Sequence, residues 1–306
     1  MATAIPFVTD LTFAYGVLEE AAPNVRRLVA RNPSPFTHVG TGTYVVGQGR
    51  VAVIDPGPAL AEHVDALLHE LRGEEIAQIV VTHTHLDHSP AAQLLAARTG
   101  APTYGFGPHA RGLYRPEDQV EAGADWEFVP QHVLRDDDVL EGPGYALRAL
   151  HTPGHCSNHL CFSLEQTGTL FSGDHVMGWS TTVVAPPDGD MGDYLSQLRR
   201  LLERDDACYL PTHGPAIHQP KPLVASLIRH REARERQILD CLNSGIYRID
   251  AMVESMYADV SRFLYPAAAR SVFAHLLELL ARERIAVDGT PSLEADYKPL
   301  SLAHNR

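Results

Sequence analysis

The sequence predicts an α/β protein in two parts. Residues 1–220 read as a sandwich of sheets covered by helices, and residues 221–306 as a small helical module with a terminal hairpin. Three observations carry this. Over the first 220 residues, short β-branched runs alternate with turns and helical patterns, each strand beside its sequence neighbour. After about residue 220 the pattern becomes almost wholly helical. The charge changes at the same point: residues 1–220 hold 13 Lys and Arg against 27 Asp and Glu, whereas residues 221–290 hold 10 against 9.

Taken in order, "TGTYVVGQGRVAVIDPG" (41–57) reads as a hairpin whose apolar runs meet at Gly47–Gly49. "ALAEHVDALLHEL" (59–71) is an amphipathic helix with Leu60, Val64, Leu67, Leu68 and Leu71 on one face. "IAQIVVTH" is a buried strand, and Ser89–Pro90 reads as an N-cap and first helical residue opening "PAAQLLAART". Strands follow at "YALRALHT", "HLCFSLE" and "GTLFSGD", then a helix at "MGDYLSQLRRLLER". In the second part, "KPLVASLIRHREARERQILDCLNSG" is a helix ended by Gly245. "RIDAMVESMY" and "YPAAARSVFAHLLELLARERI" supply two more, and "IAVDGTPS" a small hairpin. Three helices and a wing over about 70 residues describe a winged-helix module.

The bulk properties narrow the function. A net charge of −13 makes the surface as a whole repel nucleic acid and anionic lipid. No apolar run approaches the ~20 residues that span a bilayer, and the first residues lack the basic start and apolar core of a signal peptide. The four cysteines are scattered and form no CxxC pair, so reduced thiols and a cytoplasmic location are expected.

The chemistry starts at "THTHLDHSP" (82–90), which packs His83, His85, Asp87 and His88 into six positions. On a helix, residues two apart lie on nearly opposite faces and His83 and His85 could not share an ion. On an extended segment they share a side with Asp87, but His88 points away. A tight turn after a strand resolves this, so the six residues read as parts of two adjacent sites. More donors stand at other strand ends: His155 in "HTPGHCSNH", Asp174 in "LFSGDHVMG" and His213 in "YLPTHGP". A carboxylate has two oxygens and can bridge two cations, which makes Asp174 or Asp87 the natural linker.

The series HxHxDH, TPGH, SGD and THG resembles the metallo-β-lactamase superfamily of hydrolases over roughly residues 40–215. The resemblance implies an αββα sandwich. It gives one metal His83, His85 and His155, gives the second Asp87, His88 and His213, and makes Asp174 the bridge. It also makes Asp55 in "VAVIDPG" the carboxylate that orients a ligand histidine. Antibiotic-hydrolysing members carry cysteine where this chain has Asp174, which counts against a true β-lactamase. With the C-terminal module, the chain further resembles the subgroup that includes beta-lactamase-like protein two, an endoribonuclease.

The resemblance implies two Zn²⁺ ions, with Fe or Mn admitted by the oxygen donors. A hydroxide held between them would attack an ester, thioester or lactone, with Asp87 able to accept the water's proton. Trp179, Ser180 and Thr181 follow the bridging aspartate and are expected to line the substrate pocket. The acidic catalytic part favours a small-molecule substrate over RNA; cleavage of single-stranded RNA is the alternative, and DNA binding through the winged helix a third. His175 is expected to point into the structure, His151, His159 and His218 to be structural, and Cys156 to be a plain buried thiol. Arg229, Arg231, Arg234 and Arg236 are interleaved with Glu232 and Glu235 and read as a solvated face. The winged helix is then a lid or the contact of a homodimer.

Overall fold

Alternating side chains build the first sheet in the computed structural model, which describes residues 5–109, 123–259 and 261–300. Its strands are β1 (Glu19–Ala22), β2 (Val25–Val29), β3 (Gly42–Val46) and β4 (Arg50–Ile54). Helix α1 (Ala61–Glu70) leads to β5 (Glu75–Val80), and α2 (Pro90–Thr99) leads to β6 (Thr103–Gly105) and β7 (His132–Val133). The seven lie side by side in sequence order, antiparallel up to β4 and parallel from β4 to β7. Tyr44, Val46, Ala52 and Ile54 face one way, while Val45, Val51 and Val53 face the other, against Val64 and Leu67 of α1 and Leu95 of α2.

The second sheet holds β8 (Val139–Gly142), β9 (Tyr145–His151), β10 (Leu160–Leu164) and β11 (Thr169–Gly173). After α3 (Met191–Leu202), β12 (Cys208–Pro211) joins its other edge, parallel to β11. The strand order is β12-β11-β10-β9-β8. Leu160, Phe162, Leu164 and Phe171 meet the inner face of the first sheet, and Cys161 and Leu170 face α3. The layers are therefore helix, sheet, sheet, helix. At burial on this scale, the apolar faces supply the main driving force for stacking the layers.

The C-terminal part contains α4 (Pro220–Asn243), α5 (Ile249–Met256), α6 (Tyr265–Ala281), and the short strands β13 (Ile285–Val287) and β14 (Tyr297–Pro299). Helix α4 packs in two cores. Leu223, Val224, Leu227 and Ile228 join α3 and the second sheet, whereas Ile238, Cys241 and Leu242 join α5 and α6.

Three local expectations change. Ser89 occupies the N-cap of α2 but makes no capping hydrogen bond, because its hydroxyl donates to Asp125 Oδ2 at 2.6 Å. The wing is longer than "IAVDGTPS": β13 pairs antiparallel with β14, not with the residues directly after Gly289. Arg231 is buried, not solvated, with 4% of its surface exposed. Strands β1, β2, β6, β7 and β8 were not anticipated. The four cysteines are unpaired, and among the described residues no helix is long and apolar enough to cross a membrane.

Candidate metal centre

Parallel strands deliver their C-terminal ends to one edge of the sandwich, where side chains project without breaking the ladder. Residues after β5 carry His83, His85, Asp87 and His88; the β9–β10 loop carries His155; Asp174 follows β11 and His213 follows β12. The two sheets are tied here by the Leu160 amide donating to the Thr82 carbonyl at 2.8 Å and the Gly42 amide donating to the Thr212 carbonyl at 2.8 Å. A tight turn follows, with the His88 amide donating to the His85 carbonyl at 3.0 Å.

All seven donors named from the sequence come together. His83, His85 and His155 form one trio, and Asp87, His88 and His213 another; His83, His88 and Asp174 form a third grouping. His83 Nε2 lies 2.9 Å from His85 Nδ1, which lies 3.0 Å from His155 Nε2. In the other trio, His213 Nε2 is 3.1 Å and His88 Nε2 3.6 Å from Asp87 Oδ2. Asp174 Oδ2 stands between the trios, 3.5 Å from His88 Nε2, 3.6 Å from His213 Nε2 and 3.9 Å from His155 Nε2.

The outward nitrogens of four histidines explain why the inward ones offer lone pairs. Nδ1 of His83 meets Thr82 Oγ1 at 3.1 Å, and Nδ1 of His88 meets Asp55 Oδ2 at 2.9 Å. Nδ1 of His155 meets the Val183 carbonyl at 2.6 Å, and Nδ1 of His213 the Gly40 carbonyl at 3.2 Å. A ring that donates outward through Nδ1 presents an unprotonated Nε2 inward. Inside the cluster, the buried atoms His88 Nε2, His213 Nε2, Asp87 Oδ1 and Asp174 Oδ1 have no hydrogen-bond partner. Such converging acceptors repel one another unless a cation sits among them, so the donor set fits divalent metal.

The electrostatics of His83, His85 and the two carboxylates agree with that fit, whereas His88 and His213, both raised by the facing carboxylates against the effect of burial, must give up a proton to a metal. Burial, with help from neighbouring histidines, holds His83 and His85 well below the usual imidazole range. Burial works against charge on Asp174, yet His213, His88 and His155 overcome it and hold the carboxyl well below its ordinary value. Asp87 is held at about 2: burial raises it, and His88 and His213 more than reverse this. Burial also depresses His88, but Asp87, Asp174 and Asp55 together lift it well above the usual range. Both carboxylates are thus ionised at neutral pH, with neutral imidazoles at His83 and His85.

Asp55 sits behind the cluster at the end of β4, with φ +49° and no exposed surface. It accepts from the Thr82 amide at 2.8 Å, Thr82 Oγ1 at 2.7 Å and Thr212 Oγ1 at 2.9 Å as well as from His88. Trp179 is half-buried beside the cluster, its ring tilted 4.9 Å from that of His38. Ser180 turns its hydroxyl to the Thr181 carbonyl, and no hydrogen bond links either residue to the seven donors. His175 and Cys156 are buried, and no side-chain hydrogen bond links either to the donors; burial pushes the Cys156 thiol well up. His159 is structural in its contacts, accepting from the Asp174 amide at 3.1 Å and meeting Thr152 Oγ1 at 2.8 Å.

Sequence reasoning missed Thr82, Thr212, His38 and His109. His109 meets Thr84 Oγ1 at 2.9 Å, and its ring lies 6.0 Å from that of His85. A signal for the threonines was present: His83 and His213 are each preceded directly by threonine, in "THTH" and "PTHG".

Comparison with known proteins gives the family and agrees with the fold. The family model for the metallo-beta-lactamase superfamily matches residues 38–213, and that for the beta-lactamase associated winged helix domain matches residues 249–292. The chain is 30% identical to the beta-lactamase-like protein 2 homolog of Drosophila melanogaster, over 97% of this chain and 98% of that protein. It is also 30% identical to an atrochrysone carboxyl ACP thioesterase of Aspergillus chevalieri, over 87% of this chain and 84% of the relative. A beta-lactamase domain protein from Burkholderia ambifaria superposes with a TM-score of 0.76 at 20% identity, covering 95% of both chains, which reports on fold. The chain belongs to the metallo-beta-lactamase superfamily of hydrolases, and it carries the winged-helix domain associated with that superfamily.

Proposed function

We propose that this protein is a dinuclear metal-dependent hydrolase of small acyl compounds, with thioesters foremost and esters and lactones beside them. The observation that carries the reading is Asp174 Oδ2, within 3.5–3.9 Å of three inward histidine nitrogens drawn from two trios of donors. His83, His85 and His155 are assigned to one ion, Asp87, His88 and His213 to the other, and Asp174 to both. Zinc is the expected metal for so many imidazoles, with Fe or Mn admitted by the carboxylates.

Bound there, such a pair of ions would lower the pKa of a water and stabilise charge developing on the substrate oxygen. The chain's own residues do the rest. Asp55, Thr82, Thr212 and two backbone carbonyls hold the ligand rings in one tautomer and orientation. Asp87 Oδ1, which has no hydrogen-bond partner, accepts the proton of the attacking water. Trp179, Ser180 and Thr181 line one side of the acyl pocket together with His38.

Thioesters are favoured because relatives of 30% and 31% identity are named as thioesterases. A polyanion is disfavoured by 27 acidic against 13 basic residues over positions 1–220, since phosphates are held by Lys and Arg. DNA binding is disfavoured by Arg282 of the C-terminal part, which is neutralised by Glu235 and, at 3.2 Å, Glu278. Residues 1–220 are taken as the catalytic part and 221–306 as the winged-helix part. The unpaired cysteines suit the cytoplasm.

The test is a substrate panel run on metal-analysed protein. Two ions per chain and turnover of acyl thioesters are expected, with bis(p-nitrophenyl) phosphate and single-stranded RNA left intact. Asp174→Asn should lower turnover by more than the roughly 100-fold typical of losing a contact behind a ligand. Cleavage of RNA or the phosphodiester with no acyl hydrolysis would replace this reading with nuclease chemistry.

A further inference from the structure

Arg231 lies in the apolar stripe of α4, where Val224, Leu227, Ile238 and Leu242 are also buried. Its Nη2 donates to the Thr182 carbonyl, and its Nη1 to Ser271 Oγ of α6 at 3.3 Å. The guanidinium carbon stands 5.4 Å over the centre of the Tyr194 ring of α3. Among the described residues no carboxylate forms an ion pair with Arg231, and its Nε has no partner. A buried cation without a counter-ion is costly, so its retention calls for something that it holds in place.

What it holds is the segment after the bridging aspartate. Thr182 Oγ1 shares its proton between the Asp174 carbonyl at 2.8 Å and the His175 carbonyl at 3.0 Å. The next carbonyl, that of Val183, takes the Nδ1 proton of His155 at 2.6 Å. Two adjacent residues therefore touch both Asp174 and His155, and Arg231 pins them from behind. We propose that Arg231 is a positioning residue through which the C-terminal helices set the orientation of His155 and Asp174 for metal. This rests on the reading of the seven donors as a metal centre.

The experiment uses the full chain, stripped of metal and titrated with Zn²⁺ in competition with a chelating dye. Arg231→Met should weaken uptake by roughly 10–100-fold, the range for contacts behind a ligand, and Arg231→Lys should lie between it and the wild type. Long-range ¹H–¹⁵N spectra of the metal-free protein should show the His155 ring losing its Nδ1–H tautomer in Arg231→Met. Leu227→Ala serves as the control, since it weakens the same helix packing but removes none of the hydrogen bonds of Thr182 and Val183. It should lower the melting temperature and leave zinc affinity within about twofold. Should Arg231→Met fail to fold, Thr182→Val cuts the link to Asp174 on the other side and should weaken zinc in the same sense. Unchanged affinity in Arg231→Met, or equal loss in Leu227→Ala at matched melting temperature, overturns the positioning role alone. A wild-type chain that takes up no zinc overturns the metal-centre reading as well.

Discussion

Asp55 shows how one side chain organises the centre. Its carboxylate takes four hydrogen bonds, one on Oδ1 from the Thr82 amide and three on Oδ2 from Thr82 Oγ1, Thr212 Oγ1 and His88 Nδ1, as many as the roughly four a carboxylate accepts. Exchanging one oxygen for an NH₂ leaves two donors facing each other with no water to separate them. Asp55→Asn should therefore release the His88 ring and weaken metal binding roughly 10–100-fold, measured by chelator competition. At this scale the seven donors were legible because polar residues at the ends of apolar runs stand out. The carbonyls of Val183 and Gly40 were not, because a backbone oxygen carries no sequence signal. Arg231 was misread for a different reason. Its alternation with Glu232 and Glu235 suggested water, yet its spacing from Leu227 and Ile238 puts it on the buried stripe, and packing outweighed the charge pattern.

Among elements, the α3–loop contact matters most to the site. Gly154 has φ +135°, and a Cβ there would sit 2.4 Å from the Tyr194 Cα. The loop that carries His155 is thus seated directly on the first turn of α3, whose Asp190 amide donates to the Gly154 carbonyl at 2.9 Å. Gly154→Ala should push loop and helix apart, at a cost of roughly 1–3 kcal/mol for an overpacked contact. Thermal melting should show the loss of stability, and metal analysis a lower content from the displaced histidine. Long elements such as α1, α3 and α4 were legible because several turns repeat the 3.6-residue period. Strands of two to four residues, such as β6, β7 and β8, are too short for a period of two to register.

For the whole molecule, α6 is the helix whose placement decides the role of the C-terminal part. A Cβ on Gly192 would meet Glu278 Oε2 at 2.4 Å, so α6 lies against the start of α3. His275, in the middle of α6, is buried with neither ring nitrogen hydrogen-bonded, and burial, helped by Arg231, His230 and Arg234, depresses it to about 3. In the unfolded chain the same ring titrates near pH 6.5. The stability it contributes is whole above about pH 6.5 and falls, at about 1.4 kcal/mol per pH unit, as the pH drops towards about 3. His275→Met should leave stability at pH 7 equal or higher and make the acid decline shallower. Urea unfolding at pH 7 and pH 5 measures both, and an unaltered decline would mean the ring is charged in the fold.

Helix α4 is about 36 Å long at 1.5 Å per residue, and its two ends are buried in different cores. A chain cut before Pro220 would lay bare the greasy flank of α3, with Met191, Tyr194 and Leu198 stripped of cover. A chain cut after Asn243 would instead leave Ile238, Cys241 and Leu242 stranded in water. Neither fragment is a self-sufficient product, so separate expression of the halves should give inclusion bodies, and swapping the C-terminal part between relatives should succeed only when the whole of α4 travels with it.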